Sequence, residues 1–219
     1  AHMVTVDPHY STTASKSDEW IPIEPGTDAA LFLGMISHII DNDLTDTDFM
    51  RRHTSMPFLV DAETGMIIRD HAVAVDVEEP ETGKQNPFYV INPATGGAVP
   101  YASCAVPALS GSAMVRGRRA VTVWDLLLET QKPYTVDWAA GITGIDADRI
   151  EALAEEYAKG PSSLALGWGG NDKMTNADIA GHAAAVLAAV TGNVGKPGTG
   201  VGVYVGQEYN SYAPSLGAW

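Results

Sequence analysis

From Asp28 to Asn42 the apolar residues Leu31, Phe32, Met35, Ile36, Ile39 and Ile40 recur at helical spacing. The pattern predicts a helix over 28–42 with Thr27 or Asp28 as its N-cap. Ahead of it, Val4-Thr5-Val6 reads as a short buried strand, closed by Asp7-Pro8 because proline cannot continue a central ladder. A loop rich in serine and threonine follows. The next apolar segment, Trp20-Ile21-Pro22-Ile23, is extended, and Pro25-Gly26 then forces a turn before Asp28. Strand, turn and helix in that order begin an α/β unit.

Residues 55–120 follow a different pattern, with proline and glycine scattered through Glu79-Pro80-Glu81-Thr82-Gly83 and Asn92-Pro93-Ala94-Thr95-Gly96-Gly97. Short strands and hairpins are expected here, among them a pair formed by 56–60 and 66–69 around the turn Asp61–Gly65. Helical spacing returns after Thr122, whose hydroxyl can cap 123–130, after Thr135, and after Asp146, where Ile150, Leu153, Ala154 and Tyr157 share a face. Gly160-Pro161 stops that helix. Residues 163–167 are strand-like, 176–190 form an alanine-rich helix, and 202–205 form another short strand. The fold class expected is α/β with an irregular β-rich insertion at about 60–120.

Apolar residues make up 45% of the 219 positions and charged residues 18%, which fits a folded core and excludes disorder over the whole length. With 13 basic against 27 acidic side chains, the net charge of -14 repels phosphate backbones and anionic headgroups, so nucleic acid is not an expected partner. An anionic small molecule needs a local positive field from backbone N–H groups and helix N-termini. Cys104, the single cysteine, excludes an internal disulfide, a cysteine zinc site and an iron–sulfur cluster held by this chain alone. No run of 18 apolar residues exists, so direct membrane insertion is not expected. Ala1-His2-Met3 reads as a tag scar, which makes Val4 the first natural residue and suggests a piece of a longer chain.

Four places offer chemistry. Pro25-Gly26-Thr27-Asp28 sets a tight turn before a helix start, either as a plain cap or as a seat for a polar ligand. Asp7-Pro8 ends the first strand, where open α/β sheets bind ligands beyond the carboxyl ends of their strands. Gly167-Trp168-Gly169-Gly170-Asn171-Asp172 follows a strand and precedes a helix, but its sixth residue breaks the dinucleotide fingerprint G-x-G-x-x-G. The run 191–200 carries glycine at 192, 195, 198 and 200, either as a flexible loop or as backbone shaped to pass close to a ligand. Without a ligand, the N–H groups of that run would have only water as partner. The histidines show no i, i+4 metal pair, and no Gly-x-Ser-x-Gly elbow is present.

In order and spacing, Val4-Thr5-Val6-Asp7-Pro8, Asp18-Glu19-Trp20-Ile21-Pro22-Ile23 and Pro25-Gly26-Thr27-Asp28-Ala29-Ala30-Leu31 resemble the molybdopterin oxidoreductases of the dimethyl sulfoxide reductase family. Tyr134-Thr135, Trp138-Ala139-Ala140, Ile142-Thr143-Gly144, Gly167-Trp168-Gly169-Gly170-Asn171 and Thr191-Gly192-Asn193-Val194-Gly195-Lys196-Pro197-Gly198 continue the resemblance. It implies a Rossmann-like guanine-dinucleotide-binding domain over 4–160, and a strand, helix and glycine-rich segment over 161–219 leading into a second cofactor-binding region.

The cofactor implied is molybdopterin guanine dinucleotide, bound in pairs around molybdenum or tungsten. By resemblance, Asp7, Pro8, Pro25, Gly26, Thr27 and Asp28 line one guanosine end, with the Asp28 carboxylate accepting two N–H bonds from guanine. Gly167, Trp168, Gly169 and Asn171 would lie along a pterin, and Gly192, Asn193, Gly195 and Gly198 would support the second cofactor. The family places its metal-ligating side chain upstream of Val4, so no catalytic or metal-ligating residue is assigned here, and the chain by itself is expected to hold no cofactor. Implied partners are the remainder of a catalytic subunit, an iron–sulfur subunit and a membrane anchor. The rival reading is a stand-alone α/β nucleotide-binding or interaction module without redox activity.

Overall fold

A computed structural model describes residues 1–69, 87–167, 175 and 177–203. In chain order the elements are β1 (Val4–Val6), β2 (Glu19–Ile21), α1 (Asp28–Asp41), α2 (Thr47–His53), β3 (Leu59–Asp61), β4 (Tyr89–Ile91) and β5 (Ala98–Pro100). Then come β6 (Ser112–Val115), β7 (Arg118–Thr122), α3 (Val123–Gln131), α4 (Val136–Thr143), α5 (Ala147–Ala158), β8 (Ser163–Leu166), α6 (Ala177–Val190) and β9 (Gly200–Val203). Helices mix with small sheets, as expected for α/β. The chain divides into two compact units, Ala1–Thr45 with Pro133–Trp219, and Asp46–Lys132.

The first unit is built around α1. Its buried residues include Leu31, Met35, Ile36 and Ile39, and α4, α5 and α6 all pack against it. Burying each such side chain contributes roughly 1.5–3 kcal/mol. Opposite α1 stand Ile150 and Ala154 of α5 and Ala184 and Leu187 of α6, all fully buried. At Gly34, an added Cβ would meet the Ala139 Cβ at 2.5 Å, so α1 and α4 cross with almost no space between them. The unit also holds two parallel strand pairs, β1 with β2 and β8 with β9. Arg149 of α5 reaches β2, its Nε donating to Glu19 Oε1 at 2.6 Å and its second nitrogen to the other carboxylate oxygen.

In the second unit β3, β7 and β6 form an antiparallel sheet in the order β3-β7-β6, and β4 pairs with β5. Leu59, Ile91, Val115 and Ala120 make its core. β6 and β7 are joined by Arg116-Gly117, both at positive φ (52° and 76°), the backbone of a two-residue hairpin turn. The hairpin expected from 56–60 and 66–69 forms only around one bridge, Val60 to Ile67, where the Asp61 N–H donates to the Met66 carbonyl at 2.9 Å and the Ile68 N–H to the Leu59 carbonyl at 3.0 Å, while β3 also pairs with β7. Asp61 holds the intervening turn by accepting the N–H groups of Glu63 and Thr64. Those two bonds, helped by Arg118, keep its carboxyl below the ordinary carboxylate range.

The sequence-derived helices form, two of them with the caps expected. Thr122 accepts the Asp125 N–H, and Thr135 accepts the Trp138 N–H, both at 3.1 Å. Asp146 precedes α5 without a side-chain cap bond. α2 has no counterpart in the expected elements; Asp46 caps it by accepting the Phe49 N–H at 2.9 Å. Among the described residues, no helix is long and apolar enough to cross a membrane.

Candidate functional site

β1 and β2 run parallel in the register Val4–Glu19, Thr5–Trp20 and Val6–Ile21, so their carboxyl ends open on the same edge. Asp7 extends the pairing by one bond, its N–H donating to the Ile21 carbonyl at 3.1 Å. Its carbonyl accepts the Trp20 indole N–H at 2.8 Å, and its carboxylate accepts the His9 N–H at 2.9 Å, which turns the chain at Pro8. Asp7 is half-buried and Pro8 exposed. Beyond β2, Ile23 enters the core, and the Glu24 N–H donates to the Thr143 carbonyl at 2.9 Å, tying the segment to α4. Pro25 and Gly26 then form an exposed turn, with Gly26 at a φ of 82°.

Thr27 stands at the N-cap position of α1 but does not cap it. Its hydroxyl donates to the Glu24 carbonyl at 2.7 Å, stabilising the turn instead. The Ala30 and Leu31 N–H groups fold back on the Thr27 carbonyl at 2.9 and 3.3 Å, so the earliest N–H groups of α1 have no side-chain acceptor from the cap residue. Asp28 sits half-buried in this first turn. Burial pushes its carboxyl above the ordinary carboxylate range, opposed by its own backbone N–H. Among the described residues no other side chain bonds to it. Asp7, Pro8, Pro25, Gly26, Thr27 and Asp28 thus all follow the carboxyl ends of one parallel strand pair.

The second group is divided. β8 and β9 pair in parallel from Ser163–Gly200 to Leu166–Val203. Gly167 directly follows β8 at the carboxyl end of this pair and is exposed, with no atom within 4 Å of an added Cβ. The run 192–199 leads into β9 at the opposite, amino end, roughly 10 Å away along strands rising about 3.3 Å per residue. Trp168, Gly169 and Asn171 lie outside the described residues, as do 204–205 of the expected last strand and the stretch Glu79–Gly83.

The run 191–200 is tied down more firmly than its composition suggests. Asn193 is 4% exposed. Its side-chain carbonyl accepts the Ser162 N–H at 3.0 Å, and its amide donates to the Tyr157 carbonyl and the Thr191 hydroxyl, each at 3.0 Å. Thr191 donates to the Leu187 carbonyl at 2.8 Å. One side chain therefore joins the end of α5, the start of β8 and the end of α6. The N–H groups of Gly192, Asn193, Lys196 and Thr199 also have protein acceptors, where the sequence suggested only water. Gly192 is buried with them, while Gly195 and Gly198 are exposed.

Sequence reasoning missed the Arg149–Glu19 fork, the Trp20 indole bond that fixes Asp7, and the burial of His38. An arginine at position 149 on the partly polar face of α5, and a tryptophan inside a strand next to an Asp-Pro turn, were the available signals. Among the described residues, no group of histidine, cysteine and acidic side chains is arranged to hold a metal ion.

A parallel strand pair followed in the chain by a glycine turn and a helix start is a feature of α/β proteins. Residues 1–218 match the family model of the molybdopterin oxidoreductases, and the chain belongs to that family. It is 30% identical over 210 residues to dimethylsulfide dehydrogenase subunit alpha of Rhodovulum sulfidophilum, covering 90% of this chain and 22% of that protein. It is 32% identical over 223 residues to respiratory nitrate reductase subunit alpha of Haloferax mediterranei, covering 91% of this chain and 22% of that protein. Among solved structures, acetylene hydratase from Pelobacter acetylenicus is similar at 24% identity with a TM-score of 0.49, covering 86% of this chain and 17% of that one. The chain thus spans about a fifth of the length of the relatives it matches.

Proposed function

We propose that this chain is a cofactor-binding portion of the catalytic subunit of a molybdenum or tungsten oxidoreductase, and that the edge formed by Asp7, Pro8 and Pro25–Asp28 receives the guanosine end of one pyranopterin guanine dinucleotide. The observation that carries this reading is the Asp28 carboxylate, half-buried at a helix start without a side-chain cap and, among the described residues, bonded to no other side chain. Its two oxygens match the N1–H and N2–H₂ donors of guanine, and an ionised acceptor strengthens both bonds. Adenine offers no such pair of donors. The first N–H groups of α1 suit a phosphate next to the base. In this reading β1, β2 and α1 begin a Rossmann-like domain whose β-rich insertion falls at about 60–120, and 161–219 leads into the second cofactor region.

Gly167 then presents open backbone to a pterin; Trp168, Gly169 and Asn171, proposed for the same pterin, lie outside the described residues. Gly195 and Gly198 are the exposed glycines of the later run that face the second cofactor region, while Gly192 and Asn193 serve it by holding β8. When bound, the metal centre supplies two-electron redox chemistry; this chain's own residues bind and orient the nucleotide ends. The partners proposed are the remainder of the catalytic subunit, an iron–sulfur subunit and a membrane anchor.

Calorimetry with GDP and ADP on the wild-type chain and on Asp28→Ala tests the reading. Preference for GDP in the wild type, lost in the variant, is expected. Equal affinity for both nucleotides in the wild type removes the role of Asp28.

A further inference from the structure

His38 lies near the C-terminal end of α1 and is 8% exposed, with α5 packed beside it. Both ring nitrogens face carboxylates of α5. Nδ1 is 3.8 Å from Glu151 Oε1, and Nε2 is 3.6 Å from Glu155 Oε1. Neither distance is that of a hydrogen bond, and the buried Nε2 has no hydrogen-bond partner. A third group competes for the ring. The Asn42 amide nitrogen stands 3.4 Å from Nδ1 while donating to the His38 carbonyl at 2.9 Å.

That amide nitrogen can only donate, so this arrangement suits a neutral ring whose Nδ1 accepts and whose Nε2 carries the hydrogen. A protonated ring has donors at both nitrogens. It would push the Asn42 amide away and match the two glutamates. We propose that His38 is a proton-dependent switch of partner at the C-terminal end of α1: neutral, it accepts from Asn42; protonated, it releases Asn42 and donates to Glu151 and Glu155.

The charges around the ring come from α5. Glu155 also pairs with Lys159 at 3.0 Å, and its carboxyl is held below the ordinary range by Lys159 first and by His38 after it. Among the described residues, α4 and α6 place no ionisable group in an ion pair with His38, although α4 carries Asp137 and α6 carries Asp178 and His182. Within α1 the nearest acid in sequence is Asp41, and it forms no pair with the ring. Asn42 is the C-cap residue of α1, and the Asn42 backbone N–H also donates to the His38 carbonyl at 3.1 Å, so the change of partner falls on the helix end itself.

Nitrogen-resolved NMR of the His38 ring and the Asn42 side-chain amide, followed from pH 8 to pH 5, tests the switch. At the alkaline end Nδ1 should lack hydrogen, and on acidification the Asn42 amide signals should move with the same midpoint as the ring. In His38→Gln the Asn42 amide signals should not titrate. A ring carrying its hydrogen on Nδ1 at pH 8, or Asn42 signals that stay fixed while His38 titrates, overturns the proposal.

Discussion

The turn 25–28 and the turn 191–193 read alike in the sequence: a glycine, a threonine and an Asp or Asn beside the end of a helix. In the structure they are opposites. The Asn193 and Thr191 side chains each bond to protein groups, and the turn is buried. Around Asp28 the threonine is turned away to Glu24, the helix start is left uncapped, and the carboxylate carries a desolvation cost with little repayment from the protein. A polar side chain bonded on all sides holds the fold together. One that is partly desolvated and unpaired is available to something else.

The largest effect expected is at the buried turn. Asn193→Ala removes the acceptor for the Ser162 N–H and the donors to Tyr157 and Thr191, and should lower stability by about 3 kcal/mol. In a melting experiment that is a fall of about 6–12 °C. A fall under about 2 °C would mean that the clasp is not what holds β8.

Gly160→Ala attacks the same clasp from outside, because an added Cβ would stand 2.6 Å from Asn193 Oδ1 and 2.8 Å from the Ser162 nitrogen. Overpacking of this kind costs about 1–3 kcal/mol, read as a lower urea midpoint, and in the Asn193→Ala background the penalty should shrink. Additive losses would show that the two sites act separately.

At the other turn, Asp28→Ala should reduce the preference for GDP over ADP by about tenfold, equal to about 1.4 kcal/mol, while Asn193→Ala that remains folded keeps that preference. If both variants lose it equally, the contrast between the turns fails.

The smallest effect is on stability. A carboxyl raised by burial binds its proton more tightly in the folded state than in the unfolded one. Its contribution is therefore complete below the ordinary value of 3.8 and is lost as pH rises through the raised one. Asp28→Asn should thus be about 0.5 kcal/mol or less more stable than wild type at pH 7, with no difference below the ordinary carboxylate range. Denaturant titrations at both pH values check the sign, and a destabilised variant at pH 7 would place Asp28 among the residues that hold the fold.

The helices were legible because their periodicity and caps are local. Thr122 and Thr135 stand where a hydroxyl three residues before an N–H predicts them. The short helix α2 escaped although Asp46 and the basic Arg51, Arg52 and His53 at its far end fit the same rules. Strand pairing was harder to read. β3 finds its partner in β7, about 60 residues on, and no local pattern encodes that choice. The β6–β7 hairpin hid behind Arg116-Gly117, where an Asn-Gly pair would have announced it. For the candidate site the sequence showed which residues are polar and turn-forming. It did not show whether each is saturated, because that depends on Tyr157, Ser162 and Glu24, which carry no ligand-binding signature of their own.

The contact at Gly34 limits how this family member can vary. With Ala139 opposite, both positions already hold nearly the smallest side chains available, so neither can grow unless the other shrinks, and Ala139 can shrink only to glycine. Rolling α1 by one residue would bring Leu33 or Met35 to the crossing, and neither fits. The helix is indexed like a key in a slot: one angular setting is admissible, and it fixes the direction in which Asp28, less than two turns away, faces. Drift at position 34 would therefore be felt at position 28 as a change of aim.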